Sequence, residues 1–257
     1  MKNLIFKELW LRRGLLRSLV ERNLKIRYKG SLLGFFWSLM DPLMMAVVYL
    51  VFIKLTRFQT DLPYLLSGVF IWQFLVLCVG DSFHAILGNT NLVKKVYFPR
   101  LILPLATALA NLINFLLSLL ILIIFLFLLG VKIHLLHLVY LPFLIFLEFM
   151  ICSGLAFLFS SLTVYFRDTQ HVVGIILMAL FFMSPVIYPV QLVPERWLTL
   201  YLMNPMATIL LGFRSGLLGT SFPWGGATIV SCLLSGVIFA GGIWVFIKLE
   251  PYFADEL

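Results

Sequence analysis

The sequence predicts an all-α integral membrane protein with six transmembrane helices, an N-terminal helix at the cytoplasmic interface and short re-entrant outer-leaflet helices before the last span. Composition, apolar runs and charge asymmetry together support this fold class. Hydrophobic residues make up 62% of the 257 residues and charged residues only 12%, with a mean hydropathy of +1.07. A soluble domain is about half apolar and about a quarter charged. The chain is therefore predicted to lie largely in a membrane.

Six apolar runs approach the length of about 20 residues that a membrane-spanning helix needs. The third is long enough to tilt. Cys78, Cys152 and Cys232 all fall within such runs, so we expect them to act as small hydrophobic residues and to form neither a disulfide nor a metal site. The predicted spans are 32–53, 64–79 with its flanks, 101–129, 139–162, 171–186 and 227–247.

A strongly basic segment precedes the first span, with nine of the 19 Lys and Arg residues between positions 2 and 29. At 100° per residue, Arg17, Arg22 and Lys25 share one side of a helix over 14–26, and leucines occupy the other side. This pattern predicts an amphipathic helix within segment 1–30 that lies in the membrane interface. The alternative is an irregular tail whose charges only orient the chain.

The distribution of cations predicts the orientation of the chain. With the N-terminus in the cytoplasm, 14 Lys and Arg residues fall on the cytoplasmic side and five on the outer side. No short apolar run with a cleavage site precedes the first span, so we expect that span to be retained and both termini to be cytoplasmic. The net charge is +8, and the cations that produce it are concentrated beside a membrane span. This placement favours anionic lipid over nucleic acid as the partner.

The third span carries a polar face. Thr107, Asn111, Asn114 and Ser118 recur at helical spacing on one side, so this side should face protein or water. It would either form hydrogen bonds between helices of neighbouring subunits or, at Asn111 and Asn114, contact substrate hydroxyls. Glu148 lies about ten residues into the fourth span. It either takes part in proton coupling or binds glycan hydroxyls, or it makes a satisfied polar contact inside the bundle or is simply a protonated carboxyl.

Aromatic residues mark both ends of the first span. Trp37 and Tyr49 either line a pathway for a sugar polymer or belong to the lipid-facing aromatic belt. Between them, Asp41 precedes Pro42, which lacks a backbone donor and predicts a bend in the span. We expect Asp81 at the cytoplasmic end of the second span, in contact with solvent.

Four prolines interrupt the apolar segment 184–218 between the fifth and sixth spans. Irregular backbone at membrane depth is tolerated only where protein or a water-filled cavity covers it. Two short outer-leaflet helices that turn near Glu195 and Arg196 would satisfy this requirement and could form an external gate. A plain extracellular loop is the alternative.

Five segments of the chain carry a resemblance to a known family. In this order and spacing they resemble the permease subunit of ABC-2 type exporters of O-antigen, capsule and teichoic acid, and more closely so than the drug-efflux permeases of the same fold. The resemblance covers nearly the whole chain. The segments are GSLLGFFW at 30–37 with Pro42, NLVKKVYFPR at 91–100, YFRD at 165–168, SPVIY at 184–188 and Asn204-Pro205.

The resemblance implies a single ABC-2 type transmembrane domain over 1–257, which forms a homodimer in the inner membrane and exports a lipid-linked glycan. It also implies two copies of a separate ATPase subunit that carry ATP and Mg²⁺. The sequence agrees with that division of labour, since it contains no phosphate-binding loop of the GxxxxGK[ST] type. We therefore expect a transport subunit with no catalytic residues and no cofactor of its own. Arg17, Arg22 and Lys25 could attract the carrier's pyrophosphate head group.

The loop between the second and third spans, 81–100, is the predicted contact for that ATPase. It combines cations with apolar side chains on the predicted cytoplasmic side, which a mere connection would not expose to water. A short coupling helix that docks in a groove of the ATPase explains the mixture, and the 165–171 turn would be a smaller second contact. The alternative is an interfacial anchor whose lysines reach lipid phosphates. The predicted coupling residues are Leu92, Val93, Lys94, Lys95, Val96, Tyr97, Phe98 and Arg100.

Other classes of function fit the sequence less well. A proton-coupled secondary transporter would need paired intramembrane acids and internal repeats, and a membrane-embedded transferase would need a polar, often metal-binding cluster at one membrane face. Neither pattern is evident in the sequence. An ABC-2 drug or lipid efflux permease is the nearest alternative.

Overall fold

A computed structural model describes residues 11–29, 36–56, 61–132, 138–220 and 225–257. Residues 1–10, residues 30–35 of the first motif and Arg57 lie outside the described residues, as do the side chains of Asp41 and Pro42. Regular structure in the described ranges is entirely helical, which confirms the predicted class. The α-helices are α1 (Arg13–Tyr28), α2 (Trp37–Thr56), α3 (Leu62–Leu87), α4 (Thr90–Lys95), α5 (Ile102–Leu128), α6 (Leu141–Tyr165), α7 (Thr169–Phe182), α8 (Glu195–Leu202), α9 (Pro205–Leu218), α10 (Gly226–Leu249) and α11 (Phe253–Glu256).

Each predicted span contains one helix, but the helices differ in length. Four of them, α3, α5, α6 and α10, are long and apolar enough to cross a membrane. Helix α7 has only 14 residues and rises about 21 Å, against a hydrocarbon thickness of about 30 Å. It ends at Phe182 because Pro185 disfavours helical backbone at the residue before it. The count of six spans thus stays a prediction.

Helix α3 continues to Leu87, so it includes the first seven residues of the loop predicted from 81 onward. The buried side chains of Phe83 and Ile86 hold these last turns against the bundle, and the Ser82 hydroxyl donates to the carbonyl of Val79 at 2.6 Å. The connection to α5 therefore begins at Gly88. Asp81 projects from a helix and not from a loop.

Helices α6 and α10 form the most extensive helix pair in the described part of the chain. They cross where Gly154 meets Gly242. A Cβ atom on Gly242 would collide with the carbonyl oxygen of Gly154 and lie 2.7 Å from its carbonyl carbon, and a Cβ atom on Gly154 would lie 2.7 Å from the Cα atom of Phe239. The two glycines let the backbones touch, as small residues do between membrane helices.

One end of the bundle collects most of the described cations and is called the basic face here. It comprises α1, the segment 88–100, the turn 166–168 and the C-terminal segment 250–257. These elements share one hydrophobic cluster, in which Val20 of α1, Val93 of α4 and Phe253 of α11 pack around Ile102 and Phe246. The cluster fixes the position of each element relative to the span ends.

The opposite end contains the two short helices predicted for 184–218, namely α8 and α9. The chain turns at Met203 and Asn204, not near Glu195 and Arg196, because Asn204 caps α9. Its side-chain oxygen accepts a hydrogen bond from the N–H of Met206 at 3.0 Å, and Pro205 is the first helical residue.

Arg214 on α9 holds this opposite end together. Its guanidinium is fully buried and donates to the carbonyls of Pro185, Val186 (2.7 Å) and Tyr64 (3.2 Å). It also stacks on the Tyr64 ring, with 3.4 Å between the guanidinium carbon and the ring centroid. Gly68 leaves room for this side chain, since a Cβ atom there would collide with the guanidinium. Arg214 thereby joins α9, the turn after α7 and the start of α3.

Candidate functional site on the basic face

Helix α1 matches the predicted amphipathic helix, but its apolar side packs on protein. Leu19 and Val20 are buried against α5 and its neighbours, whereas Arg17 is exposed and pairs with Glu21 at 2.8 Å. The helix therefore belongs to the bundle and presents its charged side outward. Burial of these apolar side chains stabilises the attachment of α1 to the bundle.

An open polar cavity of about 390 Å³ lies between α1, α3 and α5. The guanidinium of Arg27 spans one side of it, where Nη2 donates both to a carboxylate oxygen of Asp81 and to the side-chain oxygen of Asn111 at 2.9 Å. Asn111 in turn donates to the same Asp81 oxygen at 2.9 Å. The cavity is lined by Arg22, Asn23, Ile26, Arg27, Asp81, His84, Ala85, Gly88, Asn89, Thr107, Ala110, Asn111 and Asn114.

Three residues of the polar face predicted for the third span line this cavity, namely Thr107, Asn111 and Asn114. Asn111 and Asn114 are 2% and 3% exposed, and the side chain of Asn23 on α1 donates to the Thr107 hydroxyl at 3.4 Å. The hydrogen bonds of Thr107 and Asn111 join α5 to α1 and α3. Asn111 and Asn114 reach the cavity and not an outer surface of the chain.

The residues predicted to attract a head group occupy different positions. Arg22 lines the cavity, whereas Arg17 and Lys25 are exposed on the outer side of α1. Arg27 and Asp81 were missed as a pair, because they lie 54 residues apart and no local periodicity connects them. One signal was present in the sequence. Arg27 does not lie on the side of the helix that Arg17, Arg22 and Lys25 share, so its charge faces the bundle and needs a partner there.

The predicted coupling residues divide into anchors and an exposed patch. Val93 and Phe98 are 3% and 5% exposed and pack into the cluster under the basic face. Tyr97 is 91% exposed and Val96 48% exposed. Leu92 is half-buried. We call Lys94, Lys95, Val96 and Tyr97, all exposed, the docking patch.

The C-terminal segment holds the end of this connection in place. The backbone N–H of Arg100 donates to a carboxylate oxygen of Glu250 at 2.9 Å, and the Arg100 guanidinium donates to the Glu250 carbonyl at 2.6 Å. Tyr165, at the end of α6, donates its hydroxyl to the Leu249 carbonyl at 3.1 Å. Phe253 is buried beneath these contacts. The docking patch therefore stands on a support tied to the last helix.

The remaining predicted residues lie away from the cavity. Trp37 is half exposed at the start of α2, whereas Tyr49 stacks on Phe181 of α7, with 5.5 Å between ring centroids. Glu148 is fully buried on α6, and both carboxyl oxygens lack a hydrogen-bond partner among the described residues. Its predicted polar contact inside the bundle is therefore not found in the described ranges.

Comparison with known proteins assigns the chain to a family. The family described as ABC-2 type transporter matches residues 14–218. Two relatives from Klebsiella pneumoniae named O-antigen export system permease protein RfbA are 28% and 29% identical, over 95% of this chain and 95% of each relative. One of the same name from Myxococcus xanthus is 30% identical over 98% of this chain and 99% of the relative. The relatives are named as permeases, which are transport components. With its long apolar helices, this chain is a multi-pass membrane protein that belongs to the ABC-2 type transporter family.

Proposed function

We propose that this chain is the permease subunit of an ATP-driven exporter of lipid-linked polysaccharide of the O-antigen, capsule or teichoic acid type. End-to-end similarity to permeases named for O-antigen export supports the substrate class. The chain would form a homodimer in the cytoplasmic membrane with both termini in the cytoplasm. Each copy would dock on a separate ATPase subunit that holds ATP and Mg²⁺.

The exposed docking patch is the observation that best supports a contact with an ATPase subunit. The patch presents a 91% exposed tyrosine beside two exposed lysines, and the buried side chains of Val93 and Phe98 on either side of it attach the segment to the bundle. Phe166 and Arg167 in the turn after α6 are exposed on the same basic face. An aromatic and cationic surface of this kind suits a groove on a partner protein.

The substrate would enter beside α1 from the inner leaflet. Arg17 and Lys25 on its exposed side would attract an anionic lipid head group, and Asn111 and Asn114 line the cavity next to them. Closure of the ATPases on ATP would press on the docking patch and open a pathway between the two subunits. Trp37, exposed on α2, is the predicted pathway residue available to line it.

A variant test addresses the docking patch directly. Tyr97→Ala removes a side chain of the size and type that forms binding hot spots, so ATPase affinity should fall by about 2 kcal/mol or about 30-fold. Tyr252→Ala is the matched control, because Tyr252 is a 61% exposed tyrosine on the same face outside the patch. Affinity of the detergent-purified permease for its proposed ATPase subunit would be measured. Equal affinity of the two variants would refute the assignment of the patch.

Reconstitution tests the substrate class. The permease and its ATPase are placed in vesicles that contain lipid-linked glycan, and both ATP turnover and arrival of glycan on the opposite leaflet are followed. The proposal expects turnover to rise with the glycan and transport to require ATP. Stimulation by hydrophobic drugs alone would favour the efflux alternative, and transport driven by a proton gradient without an ATPase would overturn the proposal.

A further inference from the structure

The guanidinium groups of Arg22 and Arg27, which line the cavity between α1, α3 and α5, carry more hydrogen-bond donors than the described residues around them provide acceptors. Nε of Arg22 and Nη1 of Arg27 are buried and have no acceptor among the residues that the structure describes. A buried donor at a positive group costs free energy unless an acceptor satisfies it. Both arginines line the same cavity. The arrangement is suited to an anion with several oxygen atoms.

The cavity has the size and access that such a ligand requires. Its volume of about 390 Å³ falls within the range of about 300–1,000 Å³ typical of small-molecule sites. Its rim includes the exposed residues Ile26, His84 and Gly88, so it opens at the surface of the basic face. A planar guanidinium group can donate two parallel hydrogen bonds to two oxygens of one phosphate.

One carboxylate already competes for this position. Asp81 accepts from Arg27, and Asp81 is less buried than its partner, with 41% of its side chain exposed against 24%. An anion that approaches Arg27 would meet the like charge of Asp81. Since Asp81 lies on the more exposed side of the pair, its side chain can rotate to solvent and leave Arg27 to the incoming anion.

We propose that this cavity is a phosphate-binding site, in which Arg22 and Arg27 bind the phosphate oxygens and Asp81 acts as a built-in competitor for Arg27. In the unliganded form the Arg27–Asp81–Asn111 contacts hold α1 on α3 and α5. In the liganded form the phosphate replaces Asp81, so that occupancy of the site loosens α1 from α3. The proposal rests on the proposed function only for the source of the phosphate, which is either a lipid head group or a soluble phosphate.

Binding to the purified full-length permease alone tests this inference, without ATPase or transport. One arm titrates inorganic pyrophosphate against the protein in neutral detergent by calorimetry. The other uses phosphatidylcholine nanodiscs with or without a long-chain polyprenyl phosphate, and follows the protein's tryptophan fluorescence. Failure of export in reconstituted vesicles leaves this measurement unaffected, so the two proposals fail separately.

The variants should change the affinity for the anion in opposite directions. Arg27→Gln and Arg22→Gln should each weaken binding by about 10-fold or more, since each removes charge-assisted hydrogen bonds to the anion. Asp81→Asn keeps the size of the side chain but removes the competing charge, so it should tighten binding several-fold. Arg12→Gln removes the same charge just before α1, from an exposed position outside the cavity, and should leave affinity unchanged.

Three results would overturn the site. These are no saturable binding in either arm, an equal loss with Arg12→Gln and Arg27→Gln, and weaker binding with Asp81→Asn. The second result would show attraction to surface charge, and the third would show that the ion pair only supports the fold. Arg22→Gln leaves the Arg27–Asp81 pair intact, so it keeps the test decisive if Arg27→Gln does not fold. Binding in only one arm supports the site and identifies the source of the phosphate.

Discussion

The crossing of α6 and α10 allows a sharp prediction, because two adjacent glycines on α10 differ in their surroundings. A Cβ atom on Gly242 would overlap the backbone of Gly154, whereas a Cβ atom on Gly241 would have nothing within 4 Å. Both Gly→Ala changes carry the same gain in helix propensity, about 1 kcal/mol in water. The difference in stability between the two variants therefore isolates the steric effect at the crossing.

The overlap at Gly242 is too large to relax locally. The nearest Gly154 atoms are backbone atoms, and the 2.7 Å separation from the carbonyl carbon is far below the ordinary contact distance of 3.4–4 Å. Since no side chain can rotate away, the two helices have to move apart along their contact. Overpacking of this kind costs about 1–3 kcal/mol or more, so Gly242→Ala should be less stable than Gly241→Ala by at least that amount.

Unfolding in mixed micelles with increasing sodium dodecyl sulfate measures this difference, with tryptophan fluorescence as the signal. Gly241→Ala should unfold at the wild-type detergent fraction or slightly above it, and Gly242→Ala clearly below it. Gly154→Ala should behave like Gly242→Ala, because its Cβ atom would meet the backbone of Ile238 and Phe239. Equal midpoints for Gly241→Ala and Gly242→Ala would refute the close backbone crossing.

Two further predictions concern the two ends of the bundle. Glu250→Ala removes the acceptor for the Arg100 N–H and should cost about 1 kcal/mol locally. Amide hydrogen exchange over 92–100, measured by mass spectrometry, should therefore accelerate in Glu250→Ala but not in Glu250→Gln, which keeps an acceptor. Unchanged exchange in both variants would contradict the support described for the docking patch. Arg214→Met should lose three backbone contacts worth about 0.6 kcal/mol each and lower stability by about 2 kcal/mol, measured by the same micelle unfolding. Arg196→Met, an exposed control, should be neutral, and equal midpoints for the two would show that the buried guanidinium contributes nothing.

Local patterns in the sequence predicted the helices and the two-sided character of several of them. Thr107, Asn111 and Asn114 were placed on one face because they obey helical spacing, and the structure buries that face. The apolar side of α1 was found in the same way. In both cases the information lies within a few turns of one helix, which is the range over which periodicity is informative.

Pairings between distant segments were not predictable from the sequence. Nothing near Arg27 indicates Asp81, and nothing near Arg100 indicates Glu250, which lies 150 residues away. The division of 92–98 into buried anchors and an exposed patch was also missed, because Tyr97 and Phe98 are adjacent aromatic residues with opposite exposure. Both residues follow the end of α4 in irregular backbone, where no helical periodicity applies, and tertiary packing alone separates them.

The glycine crossing also bears on the order in which the protein is assembled. The Gly154 notch of α6 has to wait for its main partner, since α10 is synthesised after α7, α8 and α9. The long stretch that contains α7, α8 and α9 has to be placed before the notch is filled. Segment 250–257 follows α10 directly and then ties down Arg100. A chain truncated before position 250 would therefore lack the contacts that hold Arg100 and the end of the 88–100 segment in place.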